Sequence, residues 1–191
     1  MDWMDTEKVL GLIKKTESPL KRQLITVALI SNLLQEQGKE APIIMGGLAL
    51  SYYSREVYFT ADIDLAYADK DALHEVLSEI GFEKKGRYWV NEDLKIAVEA
   101  PVGMLADEDS PLEIVELGTD LQCRIIGIED LMIDRLNACK HWKSEIDCEM
   151  AELLIMRYAN ELDWAYLEKK AEKPENDVLQ ELMTLKSKAK T

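Results

Sequence analysis

Apolar positions recur at helical spacing from the start of the chain. Val9, Leu10, Leu12 and Ile13 predict a helix over Thr6 to Lys15, with Thr6 as N-cap. Ser18 followed by Pro19 is a second start signal. It opens a longer helix to about Gln37, carrying Leu24, Val27, Ala28, Ile30, Leu33 and Leu34 and stopped by Gly38. Ala41 to Met45 reads as a buried strand, Gly46-Gly47 as a turn, and Leu48 to Ser54 as a two-turn helix. Tyr58 to Tyr67 then reads as a second strand. Asp69 or Lys70 opens another helix through Leu73, Val76, Leu77 and Ile80, closed by Gly81.

The period then shortens to two. Arg87 to Asn91 and Leu94 to Glu99 predict a hairpin turning at Glu92-Asp93, with Pro101 ending its second strand. A loop of small and acidic residues, Gly103 to Pro111, leads to a second hairpin, Leu112 to Leu117 and Leu121 to Ile126, across Gly118-Thr119-Asp120. Beyond Gly127 every segment is helical: Ile128 to Lys143, Glu145 to Tyr158, Asp163 to Lys173, and from Pro174 to about Ala189 with a frayed Lys-rich end. The expected architecture is α/β (α+β), a mixed sheet flanked by helices. Residues 1–126 form the α/β core with the N-terminal helices, and residues 127–191 a helical region packed on it.

Composition narrows the function classes. Of 191 residues 47% are hydrophobic, enough for a substantial core, yet no apolar run is long enough to cross a membrane. The acidic start, Met1-Asp2-Trp3-Met4-Asp5, does not look like a signal peptide, so a cytoplasmic location is expected. A net charge of −14 disfavours general nucleic-acid binding and leaves room only for a local basic patch. Cys123, Cys139 and Cys148 form no CxxC pattern and read as reduced, mostly buried thiols. His74 and His141 are too few for a zinc site with them.

The stretch Ile43 to Leu65 concentrates the candidate chemistry. Side chains alternate faces along a strand, so Asp62 and Asp64 point one way while Ile63 and Leu65 point the other. Two carboxylates so spaced can share a divalent cation. A glycine pair at a helix start offers bare N–H groups to a phosphate. Metal plus phosphate is the chemistry of nucleotidyl transfer. Thr60 stands close enough in sequence to hydrogen-bond into the same site. Glu99, ending a later strand, is the candidate third acid if that strand lies beside the first. On the helix from Ile128, Asp130, Asp134, Asn137 and His141 share one face, which is either solvated or a second wall of the cleft. Arg135 or Lys140 would then meet phosphate charge, with Arg55 and Arg124 as weaker candidates. Trp3, Trp89 and Trp164 read as packing residues, and His141-Trp142 as an aromatic anchor.

Gly46-Gly47 followed by Thr60-Ala61-Asp62-Ile63-Asp64-Leu65 resembles the signature of the nucleotidyltransferase superfamily, the DNA polymerase β-like group. Fourteen residues separate Gly47 from Asp62, and Gly47 stands where many members have serine. The stretches Val98-Glu99-Ala100-Pro101, Glu129-Asp130-Leu131, Asp134-Arg135-Leu136, His141-Trp142 and Asp147 are similar to uncharacterised bacterial and archaeal members, some linked to toxin–antitoxin or abortive-infection systems. The resemblance implies Mg²⁺ held by Asp62 and Asp64, with Glu99 as third ligand. It also implies a nucleoside triphosphate over Gly46 and Gly47. The acceptor would be a hydroxyl of a protein, an RNA or a small molecule. Its alternative is a non-catalytic nucleotide- or partner-binding module, such as one paired with an antitoxin.

Overall fold

A computed structural model describes residues 5–102, 110–118 and 120–189. Trp3, most of the expected loop from Gly103, Thr119 in the second hairpin turn and the last two residues lie outside them. Helices α1 (Thr6–Lys15) and α2 (Pro19–Glu36) come first, followed by β1 (Ile43–Met45), α3 (Gly46–Tyr53), β2 (Asp62–Ala66) and α4 (Lys70–Glu79). Strands β3 (Glu83–Lys85), β4 (Tyr88–Asn91), β5 (Ile96–Val102), β6 (Leu112–Glu116) and β7 (Gln122–Ile126) precede α5 (Ile128–Trp142), α6 (Glu145–Tyr158), α7 (Trp164–Glu172) and α8 (Leu179–Ala189).

The seven strands form one mixed sheet in the order β3-β4-β5-β2-β1-β7-β6. β2 pairs parallel with β5 and antiparallel with β1, and β1 pairs parallel with β7. Alternate residues of the central strands, Ile44, Ile63, Leu65, Val98 and Ile125, are fully buried. The covering elements include α2, which is buried almost all round: Leu24 to Ser31 are all shielded, as are Leu33 and Leu34. The other face carries Asp62, Asp64, Ala97 and Glu99, all only half-buried.

Several boundaries differ from the periodicity. Asp5, not Thr6, caps α1, its carboxylate accepting from the Glu7 and Lys8 N–H groups. The short exposed strand β3 has no alternation to reveal it. β5 runs through Pro101 instead of stopping there. Between Asp64↔Glu99 and Ala66↔Val102 the β5 strand holds one extra residue, a bulge in which proline's missing N–H is harmless. α8 begins at Leu179 rather than at Pro174, after a left-handed turn at Asp177.

The C-terminal helices share a continuous core with the sheet. α6 also caps α3: Arg157 Nη1 donates to the Ser54 carbonyl at 2.5 Å, and the Tyr158 hydroxyl to that of Tyr53 at 2.9 Å. These bonds satisfy carbonyls that the helix end leaves open. The expectation of reduced cysteines is overturned in part. Cys139 and Cys148 form a disulfide across the α5–α6 corner, where left-handed Lys143 folds one helix back on the other, while Cys123 stays a buried thiol. Spacing alone does not reveal a turn that brings residues nine apart together.

Candidate active site

Register decides which acids meet. In the parallel β2–β5 pair Asp64 stands opposite Glu99 and Asp62 opposite Ala97, so Asp62, Asp64 and Glu99 share one face. The sheet therefore brings the three predicted acids onto neighbouring strands. Each carboxylate has its own neighbour. Thr60 Oγ1 donates to Asp62 Oδ1 at 2.5 Å, the Gly47 N–H to Asp64 Oδ2 at 3.3 Å, and Arg87 Nε lies 3.4 Å from Glu99 Oε1. Among the described residues no three His, Cys, Asp or Glu side chains converge as a ready-made metal cage.

The glycine pair is explained by contact. Gly46 has φ of +57°, and a Cβ there would lie 2.4 Å from Asp64 Oδ2. A Cβ at Gly47 would lie 2.9 Å from both Cβ and Oγ1 of Thr60. Thr60 thus fills the space that a side chain at position 47 would need. Among the described residues the N-cap of α3, Met45, makes no side-chain capping bond, and the Gly47 N–H is taken by Asp64.

Burial is the largest influence on Asp64 and raises its pKa. The Gly47 N–H pulls the other way, Asp62 and Glu99 push it further up by like charge, and Arg135 pulls it down. Arg135, on α5, is held by two other carboxylates. Its Nη1 meets Asp147 Oδ1 at 2.7 Å and its Nη2 meets Asp134 Oδ2 at 3.5 Å. Its Nε is buried with no hydrogen-bond partner among the described residues.

Most of the rest of the α5 polar face is engaged by neighbouring helices, while His141 stays exposed. Asp130 takes the Tyr166 hydroxyl at 2.9 Å and Lys170 Nζ at 2.9 Å. Asn137 donates to Asn176 Oδ1 at 2.8 Å, and His141 Nε2 lies 3.0 Å from the Asn176 carbonyl. Lys140 is held by Asp177 and Glu181. This face is the seam with α7 and α8, and Lys140 is not brought to the acids. Arg124 is paired with Glu40 at 3.1 Å. Trp142 is 81% exposed and anchors nothing, whereas Trp89 and Trp164 do pack.

Sequence reasoning missed two contributors. Gln23 is buried in α2, and its Nε2 donates to the Thr60 carbonyl at 3.1 Å and reaches that of Asp62 at 3.5 Å. The same helix also carries Asn32 and Gln35, so the amide gave no distinctive signal. Arg87, at the turn into β4, carried none. A surface cavity of about 550 Å³ lies elsewhere, between α1, the end of α4 and the β4–β5 turn. None of the predicted site residues lines it, and its buried amide, Asn91, is satisfied by Ile80 and Leu94.

No helix in the described residues is long and apolar enough to cross a membrane. No curated protein matches the sequence. The solution structure of the antibiotic-resistance factor ANT(2'')-Ia is similar over 98% of this chain and 97% of that one, at 15% identity and a TM-score of 0.47. The family model described as nucleotidyltransferase of unknown function (DUF6036) matches residues 22–188, and the chain belongs to that family.

Proposed function

We propose that the protein is a Mg²⁺-dependent nucleotidyltransferase that moves a nucleoside monophosphate from a nucleoside triphosphate to a hydroxyl acceptor. The observation that carries this is the register placing Glu99 beside Asp64, with the Gly46–Gly47 helix start against the same carboxylate. Asp62, Asp64 and Glu99 offer hard oxygen donors on one face, the donor set that suits Mg²⁺. Their mutual repulsion, evident at Asp64, is what a cation relieves. When bound, the metal supplies charge stabilisation and alignment of the reacting phosphate.

The chain's own residues do the rest. Asp62 and Asp64 would hold the metal. Thr60, pinned by Gln23 behind it, keeps the Asp62 carboxylate turned for that task. The uncapped first turn of α3 from Gly46 accepts the outer phosphates. Arg135, with its buried unpartnered Nε, offsets their charge. Glu99 turns from Arg87 to the site and takes the acceptor's proton. The acceptor oxygen then bonds to the α-phosphorus, the bond from that phosphorus to the bridging oxygen breaks, and pyrophosphate leaves.

The test is incubation with Mg²⁺ and each α-labelled nucleoside triphosphate in turn, following pyrophosphate and labelled product. Wild type is expected to release pyrophosphate, and Asp62→Asn/Asp64→Asn to lose more than about a hundredfold of the rate. Equal rates in both proteins remove the assignment and leave a binding module of the same fold. Inorganic phosphate as product would instead indicate a phosphohydrolase.

A further inference from the structure

The sheet order that brings the acids together also separates the two ends of the reaction. From one side to the other run the Gly46 helix start beyond β1, then Asp62 and Asp64 on β2, Glu99 on β5 and Tyr88 on β4. On the reading above, the leaving pyrophosphate lies at the glycine end. Attacking and leaving oxygens are roughly in line in phosphoryl transfer. The acceptor therefore approaches across Glu99, from the β4 side.

That side differs in charge from the rest of the molecule. In a chain of net charge −14, three of the four residues from Lys84 to Arg87 are basic. Lysines on an edge strand discourage edge pairing, and that accounts for Lys85, which pairs with Glu92 at 2.7 Å. It does not account for Arg87. A two-residue turn opening at Gly86, φ +64°, sets Arg87 beyond the strand. Its side chain is 70% exposed, and its guanidinium lies 4.8 Å from the centre of the Tyr88 ring and 3.4 Å from Glu99. Tyr88 is directly opposite Glu99 in the antiparallel β4–β5 pair, so ring and carboxylate share a face. Lys70 reaches the Ala100 carbonyl next to Glu99, whereas Lys84, opposite Trp89 in the β3–β4 pair and 4.0 Å over its ring, lies on the other face of the sheet.

We propose that Arg87 and Tyr88, with Lys70 at the neighbouring Ala100 carbonyl, form an acceptor subsite for a hydroxyl-bearing end of a single-stranded polynucleotide. An aromatic ring topped by a guanidinium, with a further cation near it, takes bases by stacking and phosphates by charge. A neutral small-molecule acceptor has no use for this charge. The terminal hydroxyl oxygen forms the new bond to the α-phosphorus, its proton passes to Glu99, and pyrophosphate departs toward Gly46.

The inference rests on the proposed transferase reading for its direction of approach, so its test is kept apart from transfer. Fluorescence anisotropy is measured on labelled RNA and DNA oligonucleotides of about 12 nucleotides at about 50 mM salt, without Mg²⁺ or nucleotide. Wild type and Asp64→Asn are expected to bind alike. Arg87→Ala and Tyr88→Leu each weaken binding about fivefold or more, and Tyr88→Phe restores it. Tighter binding of RNA than DNA identifies the sugar, and equal binding still supports the polynucleotide. Failure of wild type to bind either oligonucleotide, or unchanged affinity in Arg87→Ala and Tyr88→Leu, overturns the subsite. Mg²⁺-nucleotide binding by calorimetry on the same proteins separates the two claims. Nucleotide binding without oligonucleotide binding sinks the subsite alone, and the reverse sinks the transferase reading.

Discussion

The two faces of strand β2 are built by opposite rules. Ile63 and Leu65 are fully buried, and their environment is satisfied by contact alone. Asp62 and Asp64, one residue away on either side, are crowded by each other and by Glu99, and each is steadied by a single donor. The first face stabilises the fold. The second lowers stability in exchange for a concentration of negative charge, the ordinary condition of a binding site for a cation. A five-residue strand thus serves both purposes because its side chains alternate.

The comparison is broken most severely on the buried face. Ile63→Ala is expected to cost about 2–5 kcal/mol, read by urea unfolding, because it opens a cavity under the central strand. Reduction of the Cys139–Cys148 bridge, which closes a loop of separation nine, should cost about 2–3 kcal/mol. Thiol titration under denaturing conditions should count one thiol before reduction and three after.

On the acid face the effects are smaller and change sign. Gly47→Ser pushes its Cβ into Thr60 and should cost about 1–3 kcal/mol. Adding Thr60→Ala removes the clash, so the double variant should recover part of that loss. Asp64→Asn should stabilise the protein, raising the Tm by about 2–4 °C for each kcal/mol relieved. The sign follows from a folded-state pKa raised above the ordinary 3.8: the native state holds the proton more tightly than the unfolded chain. Wild type therefore gains stability as pH falls from neutral through the raised pKa, and its deficit against Asp64→Asn shrinks toward about pH 4. A gap that widens on acidification would contradict this.

Much of this site was legible because its spacing is local. The alternation at 62–65 and the glycine pair follow from side-chain direction and backbone freedom, and Glu99 needed only the right neighbouring strand. What was not legible depends on contacts distant in sequence. Lys140 carries the same charge as Arg135 but sits one turn and a half along the helix, where α8 claims it. Asp130 and Asn137 look like part of a solvated or functional stripe until α7 and the turn at Asn176 cover them, and exposed His141 only touches that turn. Gln23 reaches Thr60 across 37 positions, a separation that no local pattern announces.

The central claim is that the acid face holds a nucleotide through a divalent cation. Calorimetric titration of wild type and Asp64→Asn with a non-hydrolysable nucleoside triphosphate, with and without Mg²⁺, tests it most directly. Wild type should bind only when Mg²⁺ is present, and Asp64→Asn should lose that dependence together with the binding. Binding of equal strength in both proteins, or binding indifferent to Mg²⁺, would contradict the account.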